Sequence, residues 1–173
     1  MKEILVGLAE YNLKANQKLC EILKSQDEAL LAKDQGAFYK SIRGTLEHIF
    51  VVEVSWLKKY DGFFSYPTLS NSWLVKTDLD EIKTRGKANF RVLLSLLHDA
   101  DLLFVGFTKD IDEGDLGTRV KYKNSKGEEL QRKYWNTIVH ILNHATHHRG
   151  EISAMLDMQG VKNDYSGFNL YTN

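Results

Sequence analysis

The scarcity of proline constrains the fold of this chain more than any other feature. Pro67 is the only proline among 173 residues, and proline interrupts helices more strongly than any other residue. On both sides of it, apolar residues recur three and four positions apart, which is the spacing of one face of an α-helix. This pattern predicts four long helices, at about residues 2–24, 36–60, 78–110 and 134–159.

Two of the connections between these helices carry signals of their own. Residues 61–73 are rich in aromatic side chains, and they either cover one end of the bundle or line a substrate pocket or dimer contact. Strand-like residues 118–122 and 128–133 flank a turn that contains Gly127, which predicts a β-hairpin. We therefore expect an all-α four-helix bundle with a small β-hairpin before the last helix, as a single domain over residues 1–173.

Composition argues against several classes of partner, although it leaves room for a local basic patch. Lys and Arg together number 23, and so do Asp and Glu, so that no basic field favours binding to nucleic acid. The single cysteine, Cys20, excludes an intramolecular disulfide and suits a reducing compartment. No apolar run approaches the roughly 20 residues that cross a bilayer, and the N-terminus lacks signal-peptide architecture. We expect a cytoplasmic protein with neither nucleic-acid nor membrane partners.

The histidines give the clearest chemical signal. His144 and His148 are four residues apart in a predicted helix, which puts both imidazoles on one face, within reach of one metal ion. His48, at the edge of the apolar stripe of the second predicted helix, is the candidate third ligand. His140 continues the stripe one turn earlier. Spacing alone leaves open that these are core histidines without a metal, because such pairs arise easily by chance.

Two glutamates fall near these histidines in the helical pattern. Glu151 lies on the face of His144 and His148, and Glu53 lies inside the apolar stripe of the second helix. A buried carboxylate costs free energy unless it is paired. Either glutamate could accept a hydrogen bond from an imidazole N–H, which fixes the tautomer of a metal ligand, or serve as a general base.

Several motifs together resemble one known family. The segment from His144 to Gly150, with the pattern His-x-x-x-His-Arg-Gly, resembles the C-terminal signature of the DinB/YfiT-like proteins, a DNA-damage-inducible metalloprotein superfamily. Residues 41–49, followed by Glu53 and Trp56, are similar to the family's second-helix pattern, which carries its first metal-binding histidine. Residues 11–16 are similar to its first-helix segment. The resemblance covers essentially the whole chain.

The resemblance implies a four-helix bundle that is often a homodimer, with His48, His144 and His148 as ligands of a divalent zinc or nickel ion. Better characterised relatives are transferases or isomerases that use low-molecular-weight thiols such as bacillithiol or mycothiol. It thus implies a metal-dependent thiol transferase that acts on a small molecule in stress or detoxification. The alternatives are a metal-dependent hydrolase and a non-enzymatic, stress-related metal-binding protein.

Three further residues are candidates for catalytic roles. His140 could shuttle a proton, and Glu151, which stands where the family commonly has glutamine, could act as a base in a hydrolase. Arg149 could hold the carboxylate of an anionic thiol, or it could be a structural cation that pairs with Glu53 or with an acid of another helix.

Overall fold

A computed structural model describes residues 1–124, 126–165 and 167–171 of the chain. Its helices are α1 (Lys2–Lys24), α2 (Glu28–Ala32), α3 (Ile42–Phe63), α4 (Pro67–Ser70), α5 (Trp73–Lys76), α6 (Leu79–Ala88), α7 (Phe90–Asp110) and α8 (Tyr134–Asp157). The strands are β1 (Arg119–Lys123) and β2 (Glu129–Lys133), and single 3-10 turns occupy Asp115–Gly117 and Phe168–Leu170. The four long helices α1, α3, α7 and α8 form a bundle, and the predicted all-α fold with a hairpin before the last helix is confirmed.

The bundle is held together by the apolar stripes that the sequence predicts. Helix α1 packs chiefly against α7, and α3 packs chiefly against α8. Leu19, Leu46, Leu97 and Ile138, one from each long helix, are fully buried, and burial of one such side chain contributes about 1.5–3 kcal/mol. Cys20 is a buried thiol, and burial raises its pKa to about 12, as expected for a packed core cysteine.

The prediction of one continuous third helix at residues 78–110 is wrong, because the helix is interrupted at Asn89. This residue has an extended backbone, and its side chain accepts hydrogen bonds from the backbone N–H groups of Arg91 and Val92. Asparagine is among the best N-cap residues, since its side chain satisfies N–H groups that a helix leaves unpaired at its start. Helices α6 and α7 are therefore separate, although the apolar spacing runs through both.

The second long helix begins later than predicted, at Ile42 rather than near residue 36. Ser41 caps it by accepting a hydrogen bond from the N–H of Gly44. The preceding residues form a tight loop, in which the N–H of Gln35 donates to the carbonyl of Lys40 over 2.7 Å. Gly36 and Lys40 have positive φ angles of 77° and 69°, which exclude a helix at these positions.

The aromatic segment at residues 61–73 covers one end of the bundle. The ring of Phe64 lies 4.9 Å from that of Tyr134, and the buried Tyr66 donates a hydrogen bond to Asp115. Asp61 follows His48 by 13 residues in α3, which corresponds to about 20 Å along a helix. This segment therefore lies away from the histidines. Pro67, Thr68 and Trp73 line an open cavity of about 680 Å³, and a role of the segment in a substrate pocket or a dimer contact stays a prediction.

The two strands pair in antiparallel register, with Tyr122 opposite Leu130. Ser125, in the predicted turn, lies outside the described residues. The ring of Tyr122 packs against Trp56 of α3 at 4.9 Å, so that the hairpin is anchored to the same helix that carries His48. None of the helices in the described part of the chain is both long enough and apolar enough to cross a membrane.

Candidate metal centre

Three imidazoles from two helices converge on one point inside the bundle. The Nε2 atom of His48 lies 2.9 Å from Nε2 of His144, which lies 3.1 Å from Nε2 of His148. One ring nitrogen from each of the three lies within 4.8 Å of the other two. The structure thus brings together the three histidines that the sequence singles out as metal ligands.

The packing of α3 against α8 produces this convergence. The two helices run antiparallel, since the hydroxyl of Tyr60 donates to the carbonyl of Thr137 while His48 faces His144. The four-residue spacing of His144 and His148 then aligns two rings along α8, and α3 supplies the third. His148 is buried, with 7% of its surface exposed, and the other two histidines are half-buried.

Burial keeps the imidazoles of His48 and His144 neutral at pH 7. It lowers the pKa of His48 to about 4 and that of His144 to about 3, and the neighbouring imidazoles add to the shift. The negative charge of Glu151 raises the pKa of His48, but this effect is smaller than the lowering by burial. An imidazole binds a metal through the lone pair of a deprotonated nitrogen, so that neutral rings are in the form that binding requires.

Glu151 fixes the orientation of His148. One carboxylate oxygen lies 2.8 Å from Nδ1 of His148, and the other lies 3.2 Å from Nε2 of His147. If Nδ1 of His148 donates to the carboxylate, its Nε2 is left with a free lone pair that points toward His144. Glu151 therefore contacts His148 on the side away from the three Nε2 atoms, and it is placed to support a ligand.

The geometry fits a single divalent cation. Two imidazole nitrogens that bind one zinc ion at about 2.0–2.1 Å stand about 3.0–3.4 Å apart, and the observed separations of 2.9 and 3.1 Å agree with this. Imidazole suits zinc, nickel and copper and does not select among them. The residues present thus fit the divalent metal that the sequence motifs imply.

Tyr39 also contacts this cluster, although no sequence motif singles it out. Its hydroxyl lies 2.9 Å from Nε2 of His48, and its ring stacks on the His48 ring with centroids 3.9 Å apart and planes 18° apart. Tyr39 precedes His48 by nine residues and belongs to the loop before α3. No helical or strand periodicity connects the two residues, which explains why the sequence pattern misses the contact.

His140 lies beside the cluster on the solvent side. Its ring centroid is 6.4 Å from that of His144 and 5.9 Å from that of Trp56. The side chain is exposed and lines an open cavity of about 350 Å³. The other residues that line this cavity are Tyr122, Arg132, Asn136 and Thr137.

Arg149 lies behind the histidines in the core and is almost fully buried, with 2% of its surface exposed. It donates hydrogen bonds to the side chains of Asn12, Asn16 and Thr146. The guanidinium also lies over the ring of Tyr11, 5.3 Å from its centroid. These contacts support the structural alternative for Arg149, and its binding of an anionic thiol stays a prediction.

Two carboxyl groups share the core with Arg149. Asp101 accepts hydrogen bonds of 2.8 Å from both Asn12 and Asn16. Glu53 is buried, and it interacts with the side chains of Arg149 and Asn12. Burial raises its pKa to about 8, against the opposing influence of Arg149. The sequence offered Glu53 and Glu151 as partners for an imidazole, and Glu151 is the one in contact.

Comparison with known proteins agrees with the motifs and the geometry. The chain is 25% identical to the protein DinB of Bacillus subtilis (strain 168), over 99% of this chain and 95% of that protein. No solved structure matches the chain significantly. Residues 1–171 match the DinB family. With a helical bundle, a cluster of three histidines and a family match over nearly its whole length, the chain belongs to the DinB family.

Proposed function

We propose that this protein is a divalent-metal-dependent transferase, with zinc or nickel held by His48, His144 and His148, and with a low-molecular-weight thiol as co-substrate. The observation that carries the proposal is the convergence of three imidazoles at separations of 2.9 and 3.1 Å. A bound divalent cation would act there as a Lewis acid and lower the pKa of a coordinated thiol or water. A role in stress or detoxification and assembly as a homodimer belong to the same proposal.

The cavity beside His140 supports a small-molecule substrate. It combines a cation, Arg132, with the ring of Tyr122 and with the neutral polar groups of Asn136 and Thr137. Such a mixture of one charge, one aromatic ring and a few hydrogen-bonding groups suits a small polar molecule that carries an anionic group. His140 stands between this cavity and His144, where it is placed to exchange a proton with a bound substrate.

The contacts of Glu151 favour transfer over hydrolysis. A hydrolase of this kind would need a carboxylate free to take a proton from the attacking water. Both oxygens of Glu151 instead contact imidazoles, those of His147 and His148. Glu151 therefore orients a metal ligand, and we assign the proton-transfer role to His140.

Metal content is the measurement that tests the proposal first. The protein is purified without a metal-affinity tag and its metals are determined by mass spectrometry, beside the His48→Ala and His144→Ala variants. His98→Ala is the matched control, because His98 lies on α7 and its only described hydrogen bond is a long one of 3.5 Å to Gln17. We expect about one zinc or nickel per chain in the wild type and in His98→Ala, and loss in the other two.

A screen for activity follows from this result. The loaded protein is incubated with thiols and electrophiles, and thiol consumption is compared with that of His140→Ala and of the metal-free protein. Thiol-dependent turnover that needs both the metal and His140 is the expected result. A wild type that neither contains nor takes up metal would contradict the proposal, and a loaded protein without thiol-dependent turnover would leave a metal-binding protein of another function.

A further inference from the structure

We propose that Tyr39 is a lid residue of the metal centre, whose hydroxyl stands at the open side of the three imidazoles and must be displaced by any ligand that enters from solution. This inference rests on the proposed metal site and adds a fourth polar group to it. Its basis is a set of contacts between the loop before α3 and His48.

The first contact places the phenol oxygen where a ligand would stand. The Tyr39 hydroxyl lies 2.9 Å from Nε2 of His48, the same distance that separates this nitrogen from Nε2 of His144. Atoms bound to one small cation are about 3 Å apart. An ion held by His48 and His144 would therefore have the Tyr39 oxygen within reach, as a ligand that an entering one must displace.

The second set of contacts holds the ring over the site. The Tyr39 ring stacks on His48 with centroids 3.9 Å apart, and it meets the His148 ring edge-on at 5.5 Å. Tyr39 thus touches a histidine from each of the two helices that form the centre. Tyr39 is half-buried, and the ring of the exposed Phe38 meets its ring edge-on at 4.9 Å.

The backbone around Tyr39 holds the residue in this position. The N–H of Ser41 donates to the Tyr39 carbonyl over 2.8 Å, and Lys40 takes the positive φ of 69°, which is uncommon for a residue other than glycine. On α3, a Cβ at Gly44 would stand 2.2 Å from the Tyr39 carbonyl oxygen. Only glycine lets the loop lie this close to the helix, so that the position of Tyr39 is a defined feature of the fold.

Spectroscopy of the cobalt-loaded protein tests this inference directly. Co²⁺ replaces the native metal, and its visible absorption reports the number and type of ligands. Azide, a small anion that binds open metal positions, is then titrated into wild type and Tyr39→Phe. The phenylalanine keeps the stacked ring and removes only the hydroxyl. We expect Tyr39→Phe to alter the cobalt spectrum and to bind azide about tenfold more tightly, because no hydroxyl then competes for the open side.

Tyr66→Phe is the matched control, since it removes a tyrosine hydroxyl that donates to Asp115 at the end of the bundle away from the histidines. It should leave both the spectrum and the azide affinity unchanged. Thermal unfolding of each variant verifies that the fold is retained.

The outcomes separate this inference from the proposed function. If the wild type takes up Co²⁺ and His48→Ala does not, but Tyr39→Phe matches the wild type in spectrum and azide affinity, the metal site stands and the lid is overturned. If the wild type takes up no Co²⁺, both are overturned. An altered spectrum together with tighter azide binding in Tyr39→Phe alone supports the lid.

Discussion

At the scale of single residues, Glu151 has the clearest electrostatic role at the centre. It is anionic and lies 2.8 Å from Nδ1 of His148, so that it makes the opposite nitrogen of this ring a better electron donor. Its other oxygen contacts His147, an exposed residue outside the set of three Nε2 atoms. Glu151 therefore strengthens the centre without itself facing the point where the imidazoles converge.

Replacement of Glu151 by glutamine tests this role. Glutamine is nearly isosteric and still accepts a hydrogen bond, but it lacks the negative charge. We expect Glu151→Gln to raise the Kd for Zn²⁺ about tenfold, since loss of such a partner commonly weakens metal binding by 10–100-fold. Competition with a chromophoric chelator measures it. His147→Ala, which removes the other contact of the same carboxylate, should change the Kd less, and equal affinities for all three proteins would contradict this role.

The sequence predicted contacts between residues that are close together in one helix, but, apart from those of His48, it did not predict contacts between different elements. His144 and His148 are one helical turn apart, so that their common face could be inferred from spacing alone. His48 came from its place in a helix and from the family resemblance. Tyr39 reaches His48 from a loop, and Asp101 reaches Asn16 across two helices, so that no periodic pattern marks either contact.

At the scale of elements, two features define the start of α3: a residue that caps the helix, and a glycine against which the preceding loop packs. Ser41 caps the helix, and Gly44 allows the Tyr39 carbonyl to lie against the helix's first turn. The Tyr39 loop and the histidine-bearing helix are thus joined within a few residues. A side chain at position 44 would push the loop away from α3 and disturb the cluster at His48.

Gly44→Ala tests how much the close contact between Gly44 and the Tyr39 carbonyl contributes to stability. The added methyl group would meet backbone rather than a flexible side chain, and we expect a loss of about 1–3 kcal/mol in the free energy of unfolding. Gly62→Ala, in the last turn of the same helix, is the control, because a Cβ there has nothing within 4 Å. It should be neutral or stabilise by up to about 1 kcal/mol. Denaturant unfolding of the two variants measures both, and equal stabilities would refute the steric argument.

Element boundaries were the part of the fold that the sequence predicted least well. Apolar spacing continues through Asn89, because residues on both sides face the same core, whereas the break depends on a side chain that caps a helix. The same holds for residues 36–41, where positive φ angles and the Ser41 cap delay the start of α3. Long-range packing fixes which helices exist, and single side chains fix where they begin.

At the scale of the whole molecule, a buried polar network joins all four long helices. Arg149 of α8 bonds to Asn12 and Asn16 of α1, and both asparagines donate to Asp101 of α7. Glu53 of α3 influences the same group, since its charge contributes to the raised pKa of Asp101 after burial itself. One buried guanidinium thus faces two buried carboxyl groups, and full ionisation would leave one uncompensated negative charge in the core.

This imbalance makes stability depend on pH through Glu53. Its pKa is about 8 in the folded protein, against an ordinary value of 4.5. Between these values the folded chain holds a proton that the unfolded chain releases, so that rising pH favours unfolding. The stabilisation is complete below about pH 4.5, and it is lost as the pH rises to about 8.

Glu53→Gln removes this proton while preserving shape, and it also removes the charge that contributes to the raised pKa of Asp101. The free energy of unfolding of metal-free wild type, relative to that of Glu53→Gln, should fall by up to about 1.4 kcal/mol per pH unit between pH 5 and 8. Denaturant unfolding with a chelator present measures it.

Glu47→Gln is the control on the same helix, because Glu47 lies nearer the surface and pairs with Arg43. Parallel pH profiles for wild type and Glu53→Gln would show that Glu53 is ionised in the core and that the network compensates its charge. A growing loss of stability of the wild type relative to Glu53→Gln toward high pH would show instead that the bundle folds around a protonated Glu53.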